Sequence, residues 1–296
     1  MRETRPEVIW MAENSRIEWT DHTWNPWQGC HPVSPGCDHC YMYRDKNRYG
    51  QDPATVKRSS NQTFRSPLKL KSGLVFTCSW SDFFIEEADE WREEAWEIIR
   101  KTPQLTYQIL TKRPVNIVDR LPSDWGNGWP NVWLGVTAEN QEQADKRIPL
   151  LLRIPAAVRF VSVEPMLGPI NLMYIDHDWQ TNALTGKQFD MGRPWKDTGK
   201  LAWVICGGET GPGARPMHPD WVRDLRDQCR ATDVPFLFKQ WGEYAPCDHF
   251  SGILTPGPVI SLDGQPNGLM AKVGKVKAGR LLDGRTWDEF PEVHHG

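Results

Sequence analysis

Six short apolar runs, each ending in polar side chains, constrain the fold of this 296-residue chain more than any other feature. Such runs are typical of strands that are buried on both faces of a sheet. They cover residues 74–77, 107–110, 132–136, 159–163, 202–205 and 236–238. Apolar residues recur at helical spacing over 86–100, 141–152 and 219–231, whereas 115–121 allows only a short helix. This alternation predicts a parallel sheet with right-handed crossovers.

The number of predicted strands favours a barrel over a doubly wound sheet. Six strands, or seven with Ile17–Thr20, exceed one Rossmann half, so we expect an α/β fold with a partial or full parallel β/α (TIM-like) barrel. Residues 1–244 form the expected barrel-like domain, with 171–200 as a polar insertion after the fifth strand. Residues 245–296 are expected to form a Gly/Pro-rich extension packed on it, with a hairpin or tight turn over 281–287.

Composition excludes a mostly disordered chain and a membrane-spanning one. Apolar residues make up 39% and charged residues 25%, and no run approaches about 18 apolar residues. The N-terminal residues lack the apolar core of a signal peptide, so we expect a cytoplasmic protein. Net charge is −3, but residues 41–71 carry eight basic residues against two acidic ones. This segment is either a contact for phosphates or a solvated surface loop.

Sixteen tryptophans provide large rings for the core or flat surfaces for stacking. Periodicity places Trp91, Trp203 and Trp221 in the core. Five others lie beside polar turns, where each is expected either to line a pocket or to join the core: Trp19, Trp24, Trp27, Trp80 and Trp241.

Three of the seven cysteines are concentrated in one loop, at residues 27–41. An odd number of cysteines in a cytosolic chain argues against a disulfide framework. Cys30, Cys37 and Cys40 have the spacing C-x6-C-x2-C, with Gly29 and Gly36 making the loop tight. Three thiolates this close together need neutralisation, which a metal ion or an iron–sulfur cluster supplies. The loop is therefore predicted to bind metal.

Two kinds of metal centre fit three cysteines. A structural zinc ion needs four ligands, and His22, His31 or His39 would have to complete the set. A [4Fe–4S] cluster held by three cysteines leaves one iron open, which suits S-adenosylmethionine (SAM). The remaining cysteines are scattered at Cys78, Cys206, Cys229 and Cys247, and we expect none of them to bind the cluster.

Several motifs together resemble one known family. The segments IEWTD (17–21) and WNPW (24–27) precede the three cysteines. Matching stretches follow at residues 110–114, 135–140, 162–165, 206–217, 238–242, 279–280 and 282–287. With the cysteine loop, they resemble the phage-associated three-Cys-motif family, which is found in phages and bacterial genomes and is similar to radical SAM proteins. The resemblance covers nearly the whole chain apart from residues 1–12 and 171–200.

The resemblance implies an iron–sulfur protein of radical SAM type, with a [4Fe–4S] cluster and SAM as cofactors. It further implies action on a nucleic acid or nucleotide in a phage or prophage context, and a partner protein encoded nearby. Two features depart from the wider radical SAM pattern. The usual cysteine spacing is C-x3-C-x2-C, and Gly207–Glu209 follows a late strand here instead of the second one.

Polar side chains at the predicted strand ends are the candidate cofactor-binding residues: Ser79, Asp82, Lys112, Arg113, Glu139, Glu164 and Glu209. We expect Glu139 or Glu164 to take the ribose hydroxyls or the amino group of SAM. Lys112 or Arg113 would take its carboxylate or a substrate phosphate. The alternative is that these carboxylates form salt bridges with Lys112, Arg113 or Arg215. No catalytic residue is assigned. The alternative function is a non-enzymatic nucleic-acid-binding protein with a structural zinc ion at the cysteines.

Overall fold

The computed structural model describes residues 12–13, 15–176, 180–188, 196–250 and 257–292. The strands within these ranges are β1 Ala12–Glu13, β2 His22–Trp24, β3 Trp27–Gln28, β4 Lys57–Arg58, β5 Gly73–Thr77, β6 Leu105–Thr111, β7 Val132–Thr137, β8 Val158–Val163, β9 Thr181–Asn182, β10 Lys187–Gln188, β11 Lys196–Asp197, β12 Trp203–Gly207, β13 Phe236–Gln240, β14 Tyr244–Pro246, β15 Val259–Ser261 and β16 Leu269–Lys272. The α-helices are α1 Tyr41–Arg48, α2 Asn61–Phe64, α3 Asp89–Lys101, α4 Gln141–Leu152, α5 Pro219–Arg230 and α6 Lys275–Ala278.

Seven parallel strands form the main sheet, in the order β2-β5-β6-β7-β8-β12-β13, with β1 antiparallel at one edge. The order in the sheet is the order in the chain, so the sheet is wound in one direction only. A doubly wound sheet would reverse its order at a switch point. The seven strands curl into a half-barrel, which confirms the predicted parallel α/β architecture in its partial-barrel form.

Each strand buries both of its faces because alternate side chains point to opposite sides of the sheet. The outer face packs against the three long helices, with Ile99 of α3, Ile148 of α4 and Leu225 of α5 in one cluster. The inner face forms a second cluster, which contains Phe76, Trp133, Phe160, Trp203, Ile205 and Leu237. The continuous apolar runs in the sequence follow from this double burial.

Aromatic rings fill the concave face of the half-barrel. The rings of Trp19 and Phe76 lie 4.5 Å apart, and those of Trp133 and Trp203 lie 5.8 Å apart. In a closed barrel, side chains from opposite strands would fill this space. Here large rings cover much of the concave surface instead.

Some elements differ in position or type from those predicted. Residues 17–20 form a turn instead of the predicted strand, and the first parallel strand is β2. The Thr20 hydroxyl donates to His22 O at 3.1 Å and to Leu74 O at 3.0 Å, which ties this turn to the start of β2 and β5. The helix predicted at 86–100 starts with a 3-10 turn, Glu86–Ala88, before α3. The short helix expected at 115–121 is a pair of 3-10 turns, Pro114–Asn116 and Val118–Arg120. Within the basic segment 41–71, α1 and α2 replace the surface loop considered above.

The predicted insertion contains a small antiparallel sheet, β9 to β11, and its residues 177–179 and 189–195 lie outside the described ranges. Leu172 and Leu184 join the outer core, so the insertion takes the place of a crossover helix between β8 and β12.

The C-terminal residues pack along the edge strand β13. The backbone N–H of Phe238 donates to Trp287 O at 2.9 Å, and the Trp203 indole donates to Glu289 O at 2.8 Å. The predicted turn is present, with Asp283 and Gly284 both at positive φ between Leu282 and Arg285. None of the helices in the described residues is long and apolar enough to span a bilayer.

Candidate functional site

The carboxyl ends of the parallel strands open onto one cavity of about 510 Å³, a volume typical of small-molecule sites. Its lining includes most of the candidate residues: Cys30, Cys37, Cys40, Ser79, Asp82, Lys112, Arg113, Glu164 and Glu209. Glu139 is the exception, because it is fully buried and lies behind the wall of the cavity. The parallel topology explains this convergence for the residues that follow the strands of the main sheet, since those strands end on the same side. The cysteines reach the cavity from the segment after β3, which lies outside that sheet.

The three cysteines lie between β3 and α1. Gly29 opens this cysteine segment, residues 29–40, at φ +97°, and a Cβ there would come 2.2 Å from Thr55 O, so only glycine fits. A 3-10 turn, Pro35–Cys37, follows, and Cys40 N–H donates to Cys37 O at 3.2 Å. Cys40 then precedes the first residue of α1.

Cys30 is bonded through both its backbone and its sulfur. Its N–H donates to Pro53 O at 3.1 Å, and its carbonyl accepts from the Tyr43 hydroxyl. Burial raises the pKa of the Cys30 thiol to about 11; the Asp82 carboxylate adds to the rise and Arg113 opposes it. The Arg113 guanidinium lies 3.6 Å from the sulfur and also donates to His31 O at 2.9 Å. Metal binding would displace the proton from this thiol.

Glu139 holds the middle of the cysteine segment. One carboxylate oxygen accepts from Gly36 N–H at 2.9 Å, and the other accepts from the buried Arg147 guanidinium at 2.9 Å. Burial raises the pKa of Glu139, but its hydrogen bonds and the Arg147 charge outweigh that effect and lower the pKa. A Cβ on Gly36 would lie 3.0 Å from Glu139 Cδ, so the backbone must approach closely here.

Glu209 and Arg215 hold the far end of the same segment. Arg215 donates to both oxygens of Glu209, at 2.9 and 2.6 Å, and also to Pro35 O at 2.8 Å and to Asp38 at 3.1 Å. The His39 ring donates to Glu209 at 3.0 Å. Burial raises the pKa of Glu209, but the hydrogen bonds from Arg215 and His39 outweigh it and lower the pKa.

Asp82 organises the strand ends beside Cys30. It accepts from the Thr111 hydroxyl at 2.7 Å and from Lys112 N–H at 2.9 Å, and it pairs with Arg113 at 3.4 Å. Ser79 exchanges hydrogen bonds with the Asn25 side chain at 3.0 and 3.2 Å. These two candidates are therefore engaged within the protein.

Glu164 pairs with Lys239 at 3.3 Å, on the part of the wall formed by β8, β12 and β13. A Cβ on Gly207 would come 2.7 Å from one Glu164 oxygen, so the glycine gives this carboxylate its space. Glu139 and Glu164 thus form salt bridges, as the alternative interpretation proposed, but with Arg147 and Lys239 and not with Lys112, Arg113 or Arg215. Glu209, which that alternative did not include, pairs with Arg215.

In the described part of the chain, no three His, Cys, Asp or Glu side chains are placed to hold one metal ion. The histidines near the cysteines have other partners: His22 contacts Ser72 O, His31 contacts Glu87, and His39 contacts Glu209. A zinc ion would bring its ligand sulfurs within about 4 Å of one another. The three thiols line one cavity, but among the described residues they do not form a centre for a single ion.

Sequence reasoning missed two residues at the site, Tyr41 and Arg147. His39 and Arg215 were named as a possible zinc ligand and a possible salt-bridge partner, and the structure has both of them bonding Glu209. Arg147 is a polar residue within a helical pattern and looks solvent-exposed in the sequence. Cys78 also lines the cavity, buried and at φ +58°, a conformation that is uncommon outside glycine.

A family model described as "Protein of unknown function (DUF5131)" matches residues 14–291. Searches of curated proteins and of solved structures gave no match.

Proposed function

The chain belongs to the DUF5131 family of proteins of unknown function, and from its site we propose that it is an iron–sulfur protein of radical SAM type acting on a nucleotide or nucleic acid. One observation carries the proposal. The cavity at the strand ends is lined by three cysteines on one segment, and the surrounding polar side chains bind that segment. The resemblance of its motifs to the phage-associated three-Cys-motif family supports the same assignment.

In this proposal Cys30, Cys37 and Cys40 hold one [4Fe–4S] cluster in a loop after the first parallel strand. When bound and reduced, such a cluster supplies the electron that cleaves SAM to methionine and a 5′-deoxyadenosyl radical. The protein's own side chains position the cysteine segment. Glu139 fixes Gly36, Arg215 fixes Pro35 and Asp38, and Arg113 fixes His31. The cysteines would therefore be held in place before the cluster assembles.

The structure changes the roles proposed for the candidate residues. Asp82, Arg113, Glu139 and Glu209 are assigned to holding the cysteine segment, because their charged groups already bond it or its neighbours. Arg113 also donates to the Cys30 sulfur, and such hydrogen bonds adjust the potential of a cluster. Ser79, Lys112 and Glu164 line the cavity and bond parts of the chain other than the cysteine segment. Ser79 and Glu164 remain the candidates for contact with SAM, and Lys112 is a candidate for the SAM carboxylate or a substrate phosphate.

The test is anaerobic reconstitution with iron and sulfide, followed by metal analysis and a visible spectrum. We expect about four iron atoms per chain and a brown protein with broad visible absorption. Cys30→Ala, Cys37→Ala and Cys40→Ala should each abolish iron binding. Cys206→Ala and Cys229→Ala are matched controls, because both residues are fully buried in the core.

The second measurement is incubation of the reduced protein with SAM, with chromatography for 5′-deoxyadenosine. A fully loaded protein that neither binds nor cleaves SAM would overturn the enzyme assignment. A colourless protein with one zinc ion per chain would overturn the cluster and support the zinc-stabilised binding protein instead.

A further inference from the structure

Three cations line the cavity without an ion-pair partner among the described residues. Arg16, Lys112 and Lys275 all belong to the lining, and within the described part of the chain their side chains form no salt bridge or hydrogen bond. They come from distant parts of the chain: the turn before β2, the end of β6 and the start of α6. The fold therefore brings three separate positive charges to one cavity.

The acids in the same cavity offset at most one of these three cations. Asp82 pairs with Arg113, Glu164 with Lys239, and Glu209 with Arg215. Glu18 is the remaining lining carboxylate. The lining thus has a surplus of positive charge over part of its surface, although the whole chain carries a net charge of −3. A cavity with unpaired cations attracts anionic ligands.

Aromatic rings accompany the cations. Tyr41 lines the cavity and is 40% exposed, and Trp80 lines it as well. Flat rings beside unpaired cations are the features that bind unpaired nucleotides, since rings stack on bases while Lys and Arg contact phosphates. A cavity of about 510 Å³ has room for one nucleotide, whereas a DNA duplex is too wide to enter it.

We propose that Arg16, Lys112 and Lys275 form the phosphate-binding part of a substrate site for an unpaired nucleotide. This inference rests on the proposed function and names its substrate class. The bound chemistry is the phosphate ester of a nucleoside, whether in a single strand or in a free nucleotide. Tyr41 and Trp80 provide the stacking surface for the base. The cysteine segment lines the same cavity.

The test measures binding of a fluorescent single-stranded DNA decamer as a function of salt, without SAM or reductant. Each phosphate contact contributes about 0.7 to the slope of log affinity against log salt for a single strand. We expect Lys275→Gln, Lys112→Gln and Arg16→Gln each to lower that slope by about 0.7. At about 50 mM salt each should weaken binding by roughly threefold to tenfold.

The matched control is Lys277→Gln. Lys277 lies two residues from Lys275 on α6, is exposed, and does not line the cavity. It should leave affinity and slope unchanged, and all four variants should fold because substitutions of this kind usually change stability little. Equal effects of Lys275→Gln and Lys277→Gln would overturn the proposal, because they would indicate a diffuse surface attraction.

Parallel measurements distinguish a single strand from a free nucleotide, and a substrate site from a cofactor site. A nucleoside monophosphate that competes with the decamer at similar affinity identifies a free nucleotide as the ligand, and a duplex decamer should bind more weakly than the single strand. If Lys112→Gln and Lys275→Gln weaken binding of S-adenosylhomocysteine and leave the decamer unaffected, the cations belong to the cofactor and the proposal is wrong. A protein that fails to assemble a cluster but shows this salt behaviour would refute the proposed enzyme while retaining the nucleotide site.

Discussion

Two glutamates with the same position in the sequence pattern have different surroundings in the structure. Glu139 and Glu164 each follow a buried strand. Glu139 is fully buried against Arg147 and Gly36, whereas Glu164 lines the cavity beside Lys239. A buried ion pair is costly to break because the remaining charge keeps its desolvation penalty. We therefore assign a structural role to Glu139 and a ligand-binding role to Glu164.

Glu139→Gln should destabilise the protein by about 3–5 kcal/mol, since it leaves the Arg147 guanidinium buried without a counter-charge. It should also reduce iron loading, because an amide holds Gly36 less firmly than a carboxylate does. Thermal or urea unfolding and iron per chain are the two measurements. Glu142→Gln is the matched control, since that side chain is 63% exposed and pairs with the equally exposed Lys146. Equal stability of the two variants would contradict the assignment.

Acid should weaken the hold on the cysteine segment. The pKa values of Glu139 and Glu209 lie below the ordinary value of about 4.3. A carboxyl with a depressed folded-state pKa contributes its full stability above the unfolded-state pKa, and loses it as pH falls through the folded-state pKa. Urea unfolding between about pH 7 and pH 3 should therefore show a loss of stability below about pH 5. The Glu209→Gln variant should lose less unfolding free energy than the unmodified protein as the pH falls below about 5. An identical loss would show that protonation of Glu209 does not contribute to the acid sensitivity.

At the scale of the elements, the pairing of β7 with β8 depends on one glycine. Gly135 lies opposite Phe160 in the register, and a Cβ at Gly135 would come within 2.4 Å of the Phe160 ring. Phe160 itself is fully buried in the aromatic cluster on the concave face. The ring therefore occupies the space that a side chain on β7 would need.

Gly135→Ala should destabilise the protein by about 1–3 kcal/mol through overpacking. Gly168→Ala is the matched control, because its nearest neighbour would lie 3.6 Å away, an ordinary contact distance. Urea unfolding curves measure both. Combining Gly135→Ala with Phe160→Leu should recover part of the loss, since the smaller side chain gives back the space. A Gly135→Ala protein as stable as Gly168→Ala would show that the strands adjust without cost.

At the scale of the whole molecule, the C-terminal residues complete the half-barrel. Trp287 is buried against Phe236 and the Arg285 guanidinium stacks on it. Asp288 bridges to Leu237, and Phe290 packs on Trp203 of the concave face. These contacts cover an edge strand that would otherwise expose unpaired backbone groups.

Trp287→Ala should cost about 3–5 kcal/mol, as expected for removing a large buried ring. Leu281→Ala is the control, since Leu281 is 50% exposed. A chain ending at residue 280 should lose these contacts entirely and aggregate, because the edge of β13 becomes available for pairing with other chains. Thermal unfolding and light scattering measure these effects. A stable, monomeric truncated chain would show that the barrel-like part does not need its C-terminal residues.

The strand–helix alternation, the polar strand ends and the clustered cysteines are local patterns, and the sequence was sufficient to predict them. Short apolar runs reflect double burial, and parallel strands place their ends together, so the partial barrel and most of the lining residues were predictable. The tertiary structure decided which charges are paired. Glu139 meets Arg147 eight residues away, but Glu209 meets His39 across 170 residues. No local pattern indicates such partners, because pairing depends on which side chains the fold brings within hydrogen-bond distance.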